Sequence, residues 1–383
     1  ESAVDHDAPD PERLAAADAN ADSPAAAPSG AEAGRADPRR YSKVSRIAVQ
    51  AAREAFADAG LDARARGDRS AAVIVGSGAG GVDVAERQYR EFFAEAWNRV
   101  SPYAIPVSIV GMVSSEISIA LGLHGMSHVI STGCTSSTDA IGYAAAAIRA
   151  GDADVVLTGG ADACVTPGMI FGFSRMRAVS TAYNETPEQA SRPFDRGRDG
   201  FVLGEGAWMF VVERASRARA RGVTPYASVD GYGSTCDAYH RVQMDPEGAE
   251  IVRAMTLAIE RAGRAPSDIG YVNYHGTSTQ LNDAVEARCV RALFGDDAPP
   301  GSSTKSMIGH PQGASGAAGV AASALAMRHR FLPPTINHDE PDAGTSLDFL
   351  GNTGRDAEID AALCNCLGFG SKNSAIVLGR VRA

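Results

Sequence analysis

Apolar positions recur at helical spacing through Val44, Ile47, Ala48, Ala51 and Ala55, which predicts a helix ending before Gly60. Ala71 to Val75 is a short continuous apolar run and reads as a buried strand entering Gly76-Ser77-Gly78-Ala79-Gly80-Gly81. A charged helix is predicted from there to about Asn98. Pro102 and Pro106 then break the chain, and Val110 to Gly122 resumes as helix.

A strand–helix–strand rhythm follows. Val129 to Thr132 reads as strand, Thr135 to Ala150 as helix, and Asp154 to Thr158 as a strand ending at Gly159-Gly160. A later stretch has the same outline: Ser302 to Thr304, a glycine-rich turn, an alanine-rich helix from Ser315 to His329, then Leu363 to Leu378 with Gly368 and Gly370 inside. Two halves of similar size and alternating elements predict an α/β fold with layered sheets. In the helix after Cys134, Ala140, Ile141, Ala144, Ala145 and Ile148 form an apolar stripe, and the opposite side is also small or apolar. Such a helix belongs inside the protein, so its N-terminus, where Cys134 sits, is predicted to be a buried anion-stabilising site.

Composition narrows the functional classes. The apolar share of 44% and charged share of 21% fit a soluble globular chain, and 383 residues suffice for two half-domains. A net charge of −10 argues against a general nucleic-acid binder. No apolar run is long enough to span a bilayer, and the acidic, alanine-rich start lacks a signal peptide's basic and apolar regions. Residues 1–37 hold almost no large apolar side chains and predict a mobile tail. The six cysteines lack zinc-site spacing, and Cys364 and Cys366, two apart with no histidine nearby in sequence, read as strand packing. A reduced, cytoplasmic protein without metal is the expectation.

Three turns carry candidate chemistry. Ser131-Thr132-Gly133-Cys134-Thr135-Ser136 puts a cysteine at a strand-to-helix turn, where the helix dipole would favour a thiolate exposed to substrate. A buried structural cysteine is the competing reading, and the one that suits the other five. His275-Gly276-Thr277-Ser278-Thr279 follows a strand from Tyr271 to Tyr274, and His310 ends Lys305-Ser306-Met307-Ile308-Gly309-His310. Either histidine alone would suit a hydrogen-bonded core position. One cysteine and two histidines, each on a glycine-rich turn, point together to a catalytic set. Gly76 to Gly81 fits G-x-G-x-x-G, but Pro102 and Pro106 fall where a dinucleotide fold needs its next strand, so that reading is rejected. Arg214, Arg217, Arg219 and Arg221 read as a solvated helix face.

Taken in order, the cysteine turn, Arg192-Pro193-Phe194-Asp195 with Arg198-Asp199-Gly200-Phe201-Val202-Leu203-Gly204-Glu205-Gly206, Asp237-Ala238-Tyr239-His240, the two histidine turns and Gly368-Phe369-Gly370 resemble the β-ketoacyl-acyl-carrier-protein synthases of the II type and the ketosynthase α subunits of type II polyketide systems. The likeness runs from about Arg39 to Val381. It implies a thiolase-like fold of five αβαβα layers in two pseudo-duplicated halves, 38–225 with the nucleophile and 226–383 with the histidines. It implies that Cys134 accepts an acyl chain and that His275 and His310 act on a malonyl unit. Lys305 would support the histidines, with Glu286 as its associated acid. Thr277 and Thr279 would bind the phosphopantetheine arm, and the Phe369 backbone N–H would join that of Cys134 in an oxyanion hole, with Phe369 as gate. No cofactor is implied, since the substrates ride on the 4′-phosphopantetheine of acyl carrier protein. The implied assembly is a homodimer, or a heterodimer with a chain-length-factor-like subunit.

Several positions depart from the family pattern. The family's opening inner-sheet strand has no counterpart in residues 1–40. Gly133 stands where fatty-acid relatives commonly have Ala, and Ala79 and Ala104 stand where they often have Ile and Phe. The two alanines predict a wider or longer acyl pocket for a bulky, unsaturated or polyketide chain. Leu367 and Ser371-Lys372 depart from the commoner gate sequence, and Arg39 and Arg40 fall where relatives place a basic carrier-protein dock. Three readings are weighed: a decarboxylating elongation enzyme of polyketide, polyene or fatty-acid synthesis; a non-catalytic chain-length partner, which would lack the nucleophile; and a thiolase, which uses a second cysteine in place of the second histidine.

Overall fold

The computed structural model describes residues 41–61, 71–342 and 347–381. The expected tail at 1–37, the unmatched opening strand and the candidate dock at Arg39 and Arg40 lie outside the described residues. The main helices are α1 Lys43–Asp58, α2 Val82–Phe93, α3 Met112–Leu121, α4 Ser136–Ala150, α5 Pro167–Arg175, α6 Ala249–Arg261, α7 Gln280–Phe294 and α8 Ser315–His329. The strands are β1 Ala71–Gly76, β2 Ser127–Ile130, β3 Val155–Ala163, β4 Glu205–Glu213, β5 Ser228–Cys236, β6 Tyr271–Asn273, β7 Gly301–Ser302, β8 Phe331–Leu332, β9 Arg355–Asp356, β10 Ala361–Gly368 and β11 Lys372–Gly379.

Two sheets form, with strand orders β2-β1-β3-β4 and β5-β11-β10-β6-β7, beside a small β8-β9 ribbon. In each, a parallel set carries one antiparallel strand: β4 against β3, and β11 against β10. The second sheet adds β5 along β11. Among the described residues β4 has no such neighbour, and that is where the two halves differ.

Five layers follow from where the apolar faces go. Val44, Ala48, Ala52 and Phe56 of α1 and Val113 and Ile117 of α3 cover the outer face of the first sheet at Val73, Val75 and Leu157. Ile251, Met255 and Ile259 of α6 and Val285 and Val290 of α7 cover the outer face of the second sheet at Val272, Leu363 and Val377. Between the sheets lie α4 and α8, with Ala140, Ala144 and Ile148 against Ile74 and Val156, and Ala317, Val320 and Ala324 against Tyr271, Cys364 and Ile376. Both middle helices are rich in alanine because two sheets press on them. Close approach is severe at one point: a Cβ on Gly76 would sit 2.3 Å from the Ser137 backbone nitrogen. Burying each Val or Ile of these faces contributes about 1.5–3 kcal/mol.

Two expectations are corrected. The strand expected to stop at Gly159-Gly160 continues to Ala163, because Gly159 and Gly160 pair with Met209 and Trp208 of β4. A Cβ on Gly159 would meet the Trp208 carbonyl oxygen at 2.1 Å, so glycine here permits close strand approach and does not end the strand. The arginine run is not simply solvated: Arg217 and Arg221 pair with Glu213, and Arg221 also donates to the Ala59 carbonyl.

Candidate active site

Cys134 sits in a single 3-10 turn, Gly133–Thr135, that leads from β2 into α4. Gly133 holds φ at 70°, the left-handed region, and so turns the chain sharply enough to present the sulfur. Asp139, one turn into α4, accepts from the hydroxyls of Thr132 and Thr135 and pins the turn. On the opposite side, β10 ends at Gly368-Phe369, where the Phe369 N–H reaches the Cys134 sulfur.

The two histidines come from the second half. His275 follows β6, and His310 follows the short helix Lys305–Ile308. Their rings stand 5.3 Å apart and nearly perpendicular, and His310 Nε2 lies 3.2 Å from Cys134 Sγ. One ligand-type atom from each of Cys134, His275 and His310 falls within 4.8 Å of the other two, and all three residues are buried. This is also a donor set able to hold a soft divalent ion.

Burial dominates the electrostatics. It pushes the Cys134 thiol up to about 12, with the nearby Cys366 adding to the rise and Lys305 opposing it. Burial, the largest influence on the sulfur, thus works against the dipole-favoured resting thiolate expected from the turn. Burial, with help from Lys305, holds both imidazoles well below the usual histidine range, so both are neutral near pH 7. Lys305 is itself buried and lowered by desolvation.

Glu286 does something other than pair with Lys305. Its carboxylate accepts the backbone N–H groups of His275 and Gly276 at 2.7 Å and the Asn365 amide at 2.7 Å, and among the described residues no ion pair within 4.0 Å joins it to Lys305. Glu286 thus fixes the loop that carries His275. The arginine-rich motif has a parallel use. Arg192 N–H and Gly200 N–H bond to Ser278, Arg198 lies 2.8 Å from Asp342 and 3.8 Å from Asp283, and the His310 N–H donates to Val202. Phe201 meets the His310 ring edge-on at 5.4 Å. The stretch from Arg192 to Gly204 therefore binds the two histidine loops to each other.

Asp162 was not foreseen. Buried at the end of β3, it accepts from the Ser77 hydroxyl and from the N–H groups of Gly78, Ala79 and Gly313, which ties the glycine loop after β1 to the turn after His310. The Gly78 and Ala79 N–H groups are thus used internally. Gln312, whose side-chain oxygen lies 3.9 Å from Cys134 Sγ, was also missed. Cys366 is corrected from strand packing: its sulfur lies 3.1 Å from the Cys134 carbonyl oxygen and 3.6 Å from His275 Nδ1. Cys364, on the same face of β10, keeps a packing role against Gly319 and Ser323.

The remaining candidates are placed as follows. The Thr277 and Thr279 hydroxyls meet at 3.0 Å beside the His275 loop. Phe369 stacks on Phe173 of α5 at 6.3 Å, so its ring must leave that neighbour if it swings. Ala79 belongs to the loop held by Asp162, and buried Ala104 opens the short helix Ala104–Ser108. The two segments are packed together, since a Cβ on Gly81 would meet the Val107 carbonyl oxygen at 2.3 Å. The arrangement offers a thiol with a base at contact distance, N–H donors beside the sulfur, and a second neutral imidazole facing the same space. This suits acyl transfer to sulfur followed by chemistry that builds negative charge on an oxygen.

Comparison with known proteins gives a consistent result. Residues 3–218 match the family described as Beta-ketoacyl synthase, N-terminal domain, and residues 226–339 match Beta-ketoacyl synthase, C-terminal domain. The chain is 43% identical over 337 residues to "3-oxoacyl-[acyl-carrier-protein] synthase 2" of Coxiella burnetii, covering 88% of this chain and 81% of that protein. Among solved structures, the ishigamide ketosynthase/chain length factor has a TM-score of 0.85 at 33% identity, covering 91% of this chain and 84% of that one. A type II polyketide synthase acyl-carrier protein in complex with its ketosynthase bound to the hexaketide has a TM-score of 0.85 at 30% identity, covering 89% and 85%. No helix among the described residues is long and apolar enough to cross a membrane.

Proposed function

The chain belongs to the beta-ketoacyl synthase family and is a condensing enzyme of the 3-oxoacyl-[acyl-carrier-protein] synthase type, and from that premise we propose how its own residues divide the reaction. Cys134 Sγ attacks the thioester of an acyl carrier protein while His310 Nε2 takes the thiol proton. The oxyanion rests on the N–H groups of Cys134 and Phe369. Collapse expels the pantetheine sulfur, which recovers the proton from His310, and the acyl group stays on Cys134.

A malonyl thioester then enters. Its carboxylate leaves as CO2, and the electron pair of the broken carbon–carbon bond passes to the thioester oxygen as an enolate, held by an N–H of His275 and by His310 once its ring, by proton exchange with solvent after acyl loading, carries its hydrogen on Nε2. The enolate carbon attacks the acyl carbonyl on Cys134, the new carbon–carbon bond forms, the carbon–sulfur bond breaks, and the departing Cys134 thiolate takes up a proton supplied by solvent. Both imidazoles must be neutral when the enolate forms, and their burial favours that state. Losing one such donor costs about 10²–10³ in rate. The sequence of steps needs no redox cofactor, metal or nucleotide; the acyl groups arrive on phosphopantetheine, with Thr277 and Thr279 flanking the arm.

The observation that carries this reading is the 3.2 Å contact of His310 Nε2 with Cys134 Sγ beside a second neutral histidine. It also sets aside a non-catalytic partner role. The chain substrate is proposed to be a bulky or unsaturated polyketide-type acyl group, on the strength of Ala79 and Ala104 and of the polyketide systems among the structural relatives. Fatty-acid elongation is the second reading, favoured by the 43% identical relative. The proposed partners are acyl carrier protein, docking near Arg39 and Arg40, and a second ketosynthase-type subunit, identical or of the chain-length-factor kind, in the cytoplasm. The test is reconstitution with malonyl-carrier protein and a panel of saturated, polyunsaturated and β-keto acyl-carrier proteins, with products read by mass. A 3-ketoacyl product two carbons longer supports the reading. CO2 release without a carbon–carbon bond, or no product with any chain, would contradict it.

A further inference from the structure

We propose that Cys366 is a positioning residue for His275, its S–H holding the imidazole in the tautomer that carries its proton on Nε2. The inference rests on the reading of His275 as an enolate donor. Cys366 is 1% exposed, with its sulfur near the Cys134 carbonyl oxygen at 3.1 Å, His275 Nδ1 at 3.6 Å and Ser315 Oγ at 3.7 Å, and beside the Thr138 hydroxyl.

The choice between tautomers turns on which acceptor takes the Cys366 proton. Cys366 has one proton to give, and two acceptors face it. The Cys134 carbonyl has a second donor in the Ser315 hydroxyl at 3.3 Å. Among the described residues His275 Nδ1 has Cys366 alone. If the S–H turns to Nδ1, the carbonyl keeps Ser315 and Nδ1 gains a donor. Nε2 then bears hydrogen and faces the reacting atoms as a donor. If instead Nδ1–H pointed at sulfur, Nε2 would be a bare lone pair, which repels a developing enolate oxygen. The partner of one imidazole nitrogen decides what the other can do, the same relation that outer-shell groups have to metal-bound histidines.

Geometry makes Cys366 the natural residue for this. In β10 the side chains alternate, so Leu363, Asn365 and Leu367 face the outer layer while Cys364 and Cys366 face the middle one. Only Cys366 is level with the nucleophile turn, because Gly368, two residues on, runs past Cys134 closely enough that a Cβ there would meet its nitrogen at 3.3 Å.

Two variants and two readouts test the proposal. In ¹⁵N-histidine-labelled protein, with His275 assigned by its absence in His275→Gln, the parent is expected to show Nδ1 unprotonated and Nε2 protonated. Cys366→Ser, which keeps a donor, retains that pattern, whereas Cys366→Ala gives a mixture. In kinetics, Cys366→Ala is expected to lower kcat for malonyl decarboxylation by about 10-fold to 100-fold, with KM for malonyl-carrier protein changed less than about twofold and Ser restoring most of the loss. An Nδ1–H tautomer in the parent overturns the proposal, as does a serine variant as slow as alanine, or an alanine variant as fast as the parent. The tautomer is read in the resting protein, so it stands or falls even if the parent shows no decarboxylation, an outcome that would strike the functional reading instead.

Discussion

His310 Nε2 lies 3.2 Å from Cys134 Sγ, within reach of the thiol proton. With the thiol pushed up to about 12 mainly by burial, reactivity depends on that base and not on a standing thiolate. Alkylation of Cys134 by iodoacetamide is expected to rise steadily with pH, about tenfold per unit between roughly pH 7 and 9, without a plateau. His310→Ala should slow acyl loading by about 10²–10⁴-fold. A plateau near neutral pH would show a low-pKa thiolate and remove the need for His310.

The buried neutral histidines also link stability to pH. Both have folded pKa values held well below 6.5 by desolvation, so the unfolded chain binds more protons as the pH falls. Their contribution is fully present above about pH 6.5 and is lost on acidification, with a combined slope approaching about 2.7 kcal/mol per pH unit. Urea denaturation between pH 5 and 7 should show the slope fall by roughly half in His275→Asn. An unchanged slope would mean that this imidazole is already charged in the folded protein.

Asp162 gathers four donors from two loops. Asp162→Ala leaves buried N–H groups without an acceptor and should destabilise the protein by about 3 kcal/mol or more. Acyl loading should fall alongside, because the Gly313 turn beside His310 loses its anchor. Chemical denaturation compared with Asp162→Asn, which keeps one acceptor oxygen, measures this; equal stability of alanine and parent would show that the loops hold without the carboxylate.

Gly133 separates backbone strain from crowding. An added Cβ would find its nearest neighbour, the Phe369 carbonyl oxygen, at a comfortable 3.6 Å, but φ stands at 70°. Gly133→Ala should therefore cost about 1–2 kcal/mol through strain alone. Gly76→Ala, aimed at the Ser137 backbone, should be far more damaging to folding. Melting temperatures of the pair, measured together, check the contrast.

What could be read in the sequence follows from range. The helix expected from Ser315 to His329 is found at those bounds, and the all-round apolar helix after Cys134 does lie between the sheets, because patterning is a local property. The nucleophile turn and both histidine turns were legible since each pairs a special residue with glycines after a strand. Asp162, Gln312 and Phe201 were not, because their significance lies in contacts with segments 80 or more residues away. Cys366 was misread for a related reason: period-two alternation puts Cys364 and Cys366 on one face but cannot say which of them is level with Cys134. The strand through Gly159-Gly160 was cut short because glycine usually weakens strands, and only the close approach of β4 explains it.

The most direct test of the account is intact-protein mass spectrometry after incubation with acyl-carrier proteins, parent beside Cys134→Ala. The account predicts a mass gain equal to the acyl group in the parent, at one site, that is absent in the alanine variant. Acylation that persists in Cys134→Ala, or a folded parent that takes up no acyl group from any carrier protein in the panel, would contradict it.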